Sequence, residues 1–167
     1  MQEGHIREAS VAELRVIQDI AYKTWPVTYG TILSKAQLDY MLELFYSLDA
    51  LHQNVKEGHK YLIAFCKNSP VAFASFYHNY KDEAATRIPK IYVLPEAQGK
   101  SIGRKLIQKI ESEAKKNNST KLSLNVNRLN EAKEFYSRLG FLVVQQIDIP
   151  LDHGYLMEDY IMEKIIN

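Results

Sequence analysis

Between Ile91 and Leu106 an apolar strand pattern passes through Pro95 and a run of small and basic residues, Gln98-Gly99-Lys100-Ser101-Ile102-Gly103-Arg104, into a helical pattern. The first N–H groups of a helix have no partner inside it, and the positive end of the helix dipole lies behind them. Such a turn can hold an anion, with Lys100, Arg104 and Lys105 adding charge, and a diphosphate is the natural guest. Gly99 and Gly103 suit that use, because a Cβ would restrict the backbone or keep an oxygen from the amides. The same pattern also serves as an ordinary capped helix after a strand. It is neither a P-loop, since no Gly-Lys-Ser/Thr follows the glycines at the required spacing, nor the G-x-G-x-x-G of dinucleotide folds.

A second segment, Asn125 to Phe141, joins a strand end, the amides Asn127 and Asn130, a helix with the aromatic pair Phe135-Tyr136, and Gly140 before another apolar strand. Other chemistry is thinly represented. The five histidines show no H-x-x-x-H or H-E-x-x-H spacing, which predicts no metal site, and Cys66 in an apolar strand reads as a small buried hydrophobe.

The elements that must carry these segments follow from periodicity. Residues 4 to 9 read as a short strand, and Ser10-Val11-Ala12-Glu13 as a capping box. Leu14, Ile17, Ala21 and Trp25 make a helix stripe ending before Pro26. Ser34 caps a second helix with Leu38, Met41, Leu42, Phe45 and Leu48 on its apolar face, and a short third one runs from Asp49 to Glu57, stopped by Gly58. The period then changes to two. Lys60 to Lys67 and Val71 to Tyr77 form a hairpin turning at Asn68-Ser69-Pro70, and Ile88 to Leu94 is a further strand. Ile102, Leu106, Ile110 and Ala114 mark a helix, Leu122, Leu124 and Val126 a strand, and Ala132 to Leu139 the last helix. Strands near 141–149 and 155–166 finish a mixed α/β order, β-α-α-α-β-β-β-α-β-α-β-β.

Composition supports one ordinary globular domain, 1–167: 46% apolar and 25% charged side chains, with no linker or repeat. With 21 basic and 20 acidic residues the net charge is +1, which argues against a nucleic-acid or anionic-membrane binder. One cysteine excludes an internal disulfide and fits a cytoplasmic location. Met1 to Glu8 lacks the basic start and apolar run of a signal peptide, and no run of ~18 apolar residues predicts a membrane span.

Together the two segments resemble the GNAT superfamily of N-acetyltransferases. The family's cofactor motif is Q/R-x-x-G-x-G/A after a strand, and its later motif is N-x-x-A-x-x-F-Y-x-x-x-G-F. Asn130, Phe135, Tyr136, Gly140 and Phe141 match the later motif, with Ala132 displaced by one residue; Gln98 to Gly103 matches the first with Ser101 at its first glycine. A weaker resemblance, at Trp25 to Tyr29 and Tyr155 to Lys164, extends to bacterial spermidine/spermine N-acetyltransferase-like members.

The resemblance implies a strongly twisted mixed sheet of six to seven strands flanked by four to five helices, with splayed central parallel strands at 88–94 and 121–127. It implies direct transfer of acetyl from acetyl-CoA to a primary amine of a small molecule, a polyamine among the candidates. Backbone groups of Tyr92 and Val93 would pair with the pantetheine arm, and the amides of Gln98, Gly99, Lys100, Ser101, Ile102, Gly103 and Arg104 would hold the diphosphate. Asn127, Asn130 and Lys133 would also touch the cofactor, and Tyr136 would protonate the leaving thiolate. Arg87 stands where many relatives have a basic carboxylate, so His78, Asp82, Glu83 or a water chain are left as bases. Supplying a neutral amine at pH 7 costs roughly 4–5 kcal/mol, against about 2 kcal/mol for the thiolate, so the base is the larger requirement. The aromatics Trp25, Tyr29, Phe45 and Tyr46 could form a wall or a cation–π contact on the acceptor side. The alternatives are a non-catalytic acyl-CoA sensor or a protein N-acetyltransferase of the same fold, and the last strands could pair across a homodimer.

Overall fold

A computed structural model describes residues 4–167; Met1, Gln2 and Glu3, the start of the segment read for a signal peptide, lie outside the described residues. The elements are β1 (His5–Glu8), α1 (Leu14–Tyr29), α2 (Lys35–Tyr46), α3 (Leu48–Lys56), β2 (Lys60–Cys66), β3 (Ser69–His78), β4 (Ala85–Val93), α4 (Ile102–Lys116), β5 (Lys121–Asn127), α5 (Ala132–Arg138), β6 (Leu142–Pro150) and β7 (Leu156–Ile165). Among the described residues one mixed sheet of seven strands has the order β1-β2-β3-β4-β5-β7-β6, and five helices accompany it, as the periodicities require. Among the described residues no helix is long and apolar enough to cross a membrane.

Packing resolves two compact units: residues to Tyr77 with Lys90–Ile110, and His78–Pro89 with Glu111–Asn167. In the first, β1, β2 and β3 form an antiparallel meander, with Ile6 opposite Ala64 and Ile63 opposite Phe73. The stripe Leu14, Ile17, Ala21 and Trp25 is buried, as are Leu38, Met41, Leu42 and Tyr46 of α2.

Two local expectations need correction. Helix α1 does not stop before Pro26 but runs through it to Tyr29. An interior proline costs about 3 kcal/mol through its missing N–H and ring clash. Burial of Trp25 and Tyr29, worth up to roughly 3 kcal/mol for each large side chain, offsets that cost. The hairpin turns at Lys67-Asn68 rather than at Asn68-Ser69-Pro70, with both φ values positive at 52° and 70°. That is the mirror-image turn whose twist matches the strands it joins. Ser69 and Pro70 instead open β3, where a register shift between Ala64 and Phe65 accommodates the proline.

In the second unit β5 pairs with β7 along its whole length, from Lys121 opposite Ile165 to Asn127 opposite Asp159. Strand β6 pairs with the outer side of β7 and is largely exposed.

Ser47 is the single residue between α2 and α3, and its side chain accepts the Ala50 N–H at 3.2 Å. Ser47→Ala is therefore expected to lower unfolding free energy by about 1 kcal/mol in urea titrations.

Candidate active site

The parallel ladder of β4 on β5 pairs Ala85, Thr86 and Arg87 with Lys121, Leu122 and Ser123. Pro89 follows two residues later and has no N–H to donate, so it marks the end of regular pairing in a central strand. Sequence reading overlooked this proline. The Arg87 guanidinium donates to Ser123 Oγ at 3.1 Å and to Asn125 Oδ1 at 2.7 Å, and lies 4.9 Å from the centre of the Tyr80 ring. Arg87 is thus held in a polar network of its own. None of the alternative bases stands out. Glu83 is exposed and paired with Lys121 at 3.1 Å, Asp82 is exposed in a turn, and His78 Nδ1 is bonded to Thr86 Oγ1 at 2.8 Å.

In the other unit β4 ends at Val93 and a single 3-10 turn, Pro95–Ala97, leads to the small-residue segment. Gly99 has φ +79° and Ser101 φ +62°, while Lys100 between them is not left-handed. Alternating handedness of this kind turns successive N–H groups toward one side, a concavity suited to anions. A Cβ on Gly99 would meet nothing within 4 Å, so its glycine is needed for φ alone. Ser101 adopts the same region with a side chain, at a cost of roughly 1–2 kcal/mol. Its Oγ accepts from Arg104 at 3.3 Å, and its carbonyl takes the Lys105 N–H as α4 begins. Lys100, Arg104 and Lys105 are exposed, and Ile102 and Gly103 half-buried. The Gln98 side chain donates to the Val93 carbonyl at 3.2 Å.

The segment after β5 is shaped by its own amides. Asn127 Oδ1 accepts the Leu129 N–H and Asn130 Oδ1 the Ala132 N–H, both at 2.9 Å, so these oxygens are spent on building the loop and opening α5. Lys133 lies 5.2 Å from the centre of the Tyr160 ring. Tyr136 is buried, its ring edge-on to Phe135 and Phe141 at 5.3 and 5.8 Å. Gly140, at φ +101°, ends the helix turn so that Phe141 N–H can return to the Tyr136 carbonyl. Among the described residues no group of three or more His, Cys, Asp or Glu side chains is arranged to hold a metal.

The aromatic cluster anticipated in the helical region is present in the first unit, and it is packed. Trp25 lies 4.6 Å from Tyr29, 5.6 Å from Tyr46 and 5.9 Å from Tyr92 between ring centres, and the hydroxyls of Tyr29 and Tyr92 are 2.9 Å apart. Its cation–π face is taken by the chain itself, because Lys90 Nζ lies 4.9 Å from the Tyr46 ring centre and 5.5 Å from that of Tyr61. Periodicity gave no hint of this half-buried lysine. Its ammonium donates to the Phe45 carbonyl, Asn54 Oδ1 and the Tyr61 hydroxyl at 3.1, 2.8 and 2.9 Å, which uses all three donors.

Burial pushes the Lys90 pKa down from 10.5 to about 7. Between those values the unfolded chain binds the proton and the folded chain does not, so stability from this group rises with pH from about 7 to 10.5. Relative to Lys90→Met, the wild-type protein should gain stability with a slope of up to about 1.4 kcal/mol per pH unit in urea unfolding from pH 7 to 9.

Comparison with known proteins accords with these features. Residues 15–141 match the acetyltransferase (GNAT) family. The spermidine N(1)-acetyltransferase of Thermoplasma acidophilum is 26% identical over 165 residues, 95% of either chain. The crystal structure of PaiA N-acetyltransferase from Thermoplasma acidophilum in complex with coenzyme A superposes with a TM-score of 0.81 at 24% identity, covering 99% of this chain and 100% of that one. A GCN5-related N-acetyltransferase from Rhodopseudomonas palustris gives 0.84 at 20% identity, covering 99% and 98%. These likenesses establish the fold, and the family match, which spans most of the chain, establishes its class: the chain belongs to the acetyltransferase (GNAT) family and is an N-acetyltransferase.

Proposed function

We propose that residues 1–167 act as one acetyltransferase domain that moves acetyl from acetyl-CoA directly to a primary amine of a small molecule. The observation that carries the donor is the alternation of backbone handedness at Gly99, Lys100 and Ser101, with the start of α4 immediately after it. Amides from Gln98 through Ile102 and Gly103 to Arg104 hold the diphosphate, and the exposed side chains of Lys100 and Arg104 add charge. Tyr92 and Val93 offer main-chain pairing to the pantetheine arm. Asn127, Asn130 and Lys133 contact the donor through their remaining amide and ammonium donors.

Acetyl-CoA supplies an activated acyl group. The amine attacks its carbonyl carbon, and Tyr136 gives a proton or hydrogen bond to the departing thiolate. The relative named as a spermidine N(1)-acetyltransferase favours a polyamine as the acceptor.

Thiol release from acetyl-CoA across spermidine, spermine, amino acids, aminoglycosides and a lysine peptide tests the reading. Release that depends on a polyamine supports it, and release only with the peptide moves the acceptor to protein. Tyr136→Phe should lower kcat by about 30-fold, the equivalent of the thiolate's requirement, with acetyl-CoA affinity unchanged in calorimetry. Ser101→Gly should stabilise the fold by up to about 1 kcal/mol, relief of the left-handed strain outweighing the added chain entropy, and should leave acetyl-CoA binding no weaker.

A further inference from the structure

The second unit contains a carboxylate that neither family motif includes. Asp159 lies on β7 and is 4% exposed. It stands directly across from Asn127, the last residue of β5, so the two side chains share a face of the sheet. The diagonal neighbour on that face, Asn125, donates from Nδ2 to Asp159 Oδ2 at 3.3 Å. Asp159 Oδ1 makes no hydrogen bond among the described residues. Arg87 reaches the same face from β4 and holds the other end of Asn125 at 2.7 Å. An arginine, an amide and a carboxylate thus lie in line across three strands.

The loop that leads to Tyr136 is docked on the same stretch of β7. Arg128 N–H donates to the Glu158 carbonyl at 3.0 Å and its guanidinium to the Asp159 carbonyl at 3.4 Å. The charge of Arg128 is itself met by Asp148 on β6 at 2.7 Å and Glu158 at 3.6 Å. The charged side chains facing Asp159 are therefore Arg87 from β4 and Arg128 from the loop, with neutral Asn125 from β5.

We propose that Asp159 is the proton acceptor for the incoming amine, oriented by Asn125 and balanced by Arg87. The proposal rests on the acetyltransferase reading above. Arg87, standing where relatives have a carboxylate, then has a purpose: the carboxylate is on β7 and the arginine is its counter-ion. In the step, the amine nitrogen bonds to the thioester carbonyl carbon and the C–S bond breaks with its electron pair on sulfur. The proton lost from nitrogen goes to Asp159 Oδ1, and sulfur takes one from Tyr136. Solvent restores both groups. Burial pushes the Asp159 carboxyl up, against the opposing pull of Asn125 and of the Arg87 and Arg128 charges, which brings it nearer the range useful to a base at neutral pH.

The test is the pH profile of kcat/KM for amine-dependent thiol release, with acetyl-CoA affinity measured in parallel by calorimetry. Asp159→Asn, isosteric and neutral, is expected to lower kcat/KM by about 100-fold or more with acetyl-CoA affinity unchanged, and Asp159→Glu to recover part of the loss. Arg87→Gln removes a charge that favours the carboxylate and should move the acidic limb of the profile upward, a shift that a packing role would not produce. An Asp159→Asn protein that binds acetyl-CoA and works within about threefold of wild type with the same acidic limb overturns this proposal alone. Should that variant fail to fold, an unmoved limb in Arg87→Gln overturns it instead. A wild-type protein that transfers acetyl to no amine overturns both this assignment and the reading beneath it.

Discussion

The structure depends on the parallel ladder in which Ala85, Thr86 and Arg87 of β4 pair with Lys121, Leu122 and Ser123 of β5. Parallel neighbours need a crossover, here α4, and the crossover must leave from the carboxyl end of β4. Regular pairing ends at Arg87 and Ser123, although β4 continues to Val93 and β5 to Asn127. Pro89 gives this a covalent cause, since a residue without an N–H cannot extend the ladder. The residues proposed to meet the donor, Tyr92 and Val93, lie in β4 beyond that proline.

Left-handed backbone follows β4 at Gly99 and Ser101. Gly99 takes its left-handed conformation freely, whereas Ser101 takes it against its own Cβ. The fold tolerates roughly 1–2 kcal/mol there because the rest of α4 is firmly seated, with Leu106, Ile107, Ile110 and Ala114 buried. After β5 the opposite economy holds. Asn127 and Asn130 satisfy nearby N–H groups with their own oxygens, so the loop entering α5 is held without strain at those two positions.

Three buried or half-buried charges show how the chain contains ions. Lys90 has three oxygen acceptors and two aromatic faces, yet burial still draws its pKa to about 7. The aromatic cluster that could have received an acceptor cation is occupied by this internal one. Arg87 and Asp159 are separated by an amide rather than joined directly, so neither neutralises the other fully. A direct ion pair would hold the carboxylate low and make it a poor base.

What the sequence by itself determined is the order and type of every element, because helix stripes, caps and alternation are short-range codes: Ser34 and Gln37, or Leu14 and Ile17, are neighbours along the chain before they are neighbours in space. The turn at Gln98 to Arg104 and the segment Asn130 to Phe141 were legible for the same reason. Helix α1 passing through Pro26 was not, since the burial of Trp25 and Tyr29 that sustains it is tertiary. Nor were the surroundings of Lys90 and Asp159, because their partners Tyr61, Asn54, Phe45 and Asn125 lie 29 to 45 residues away. Only strand register and helix packing decide which distant oxygen or guanidinium a buried charge will face.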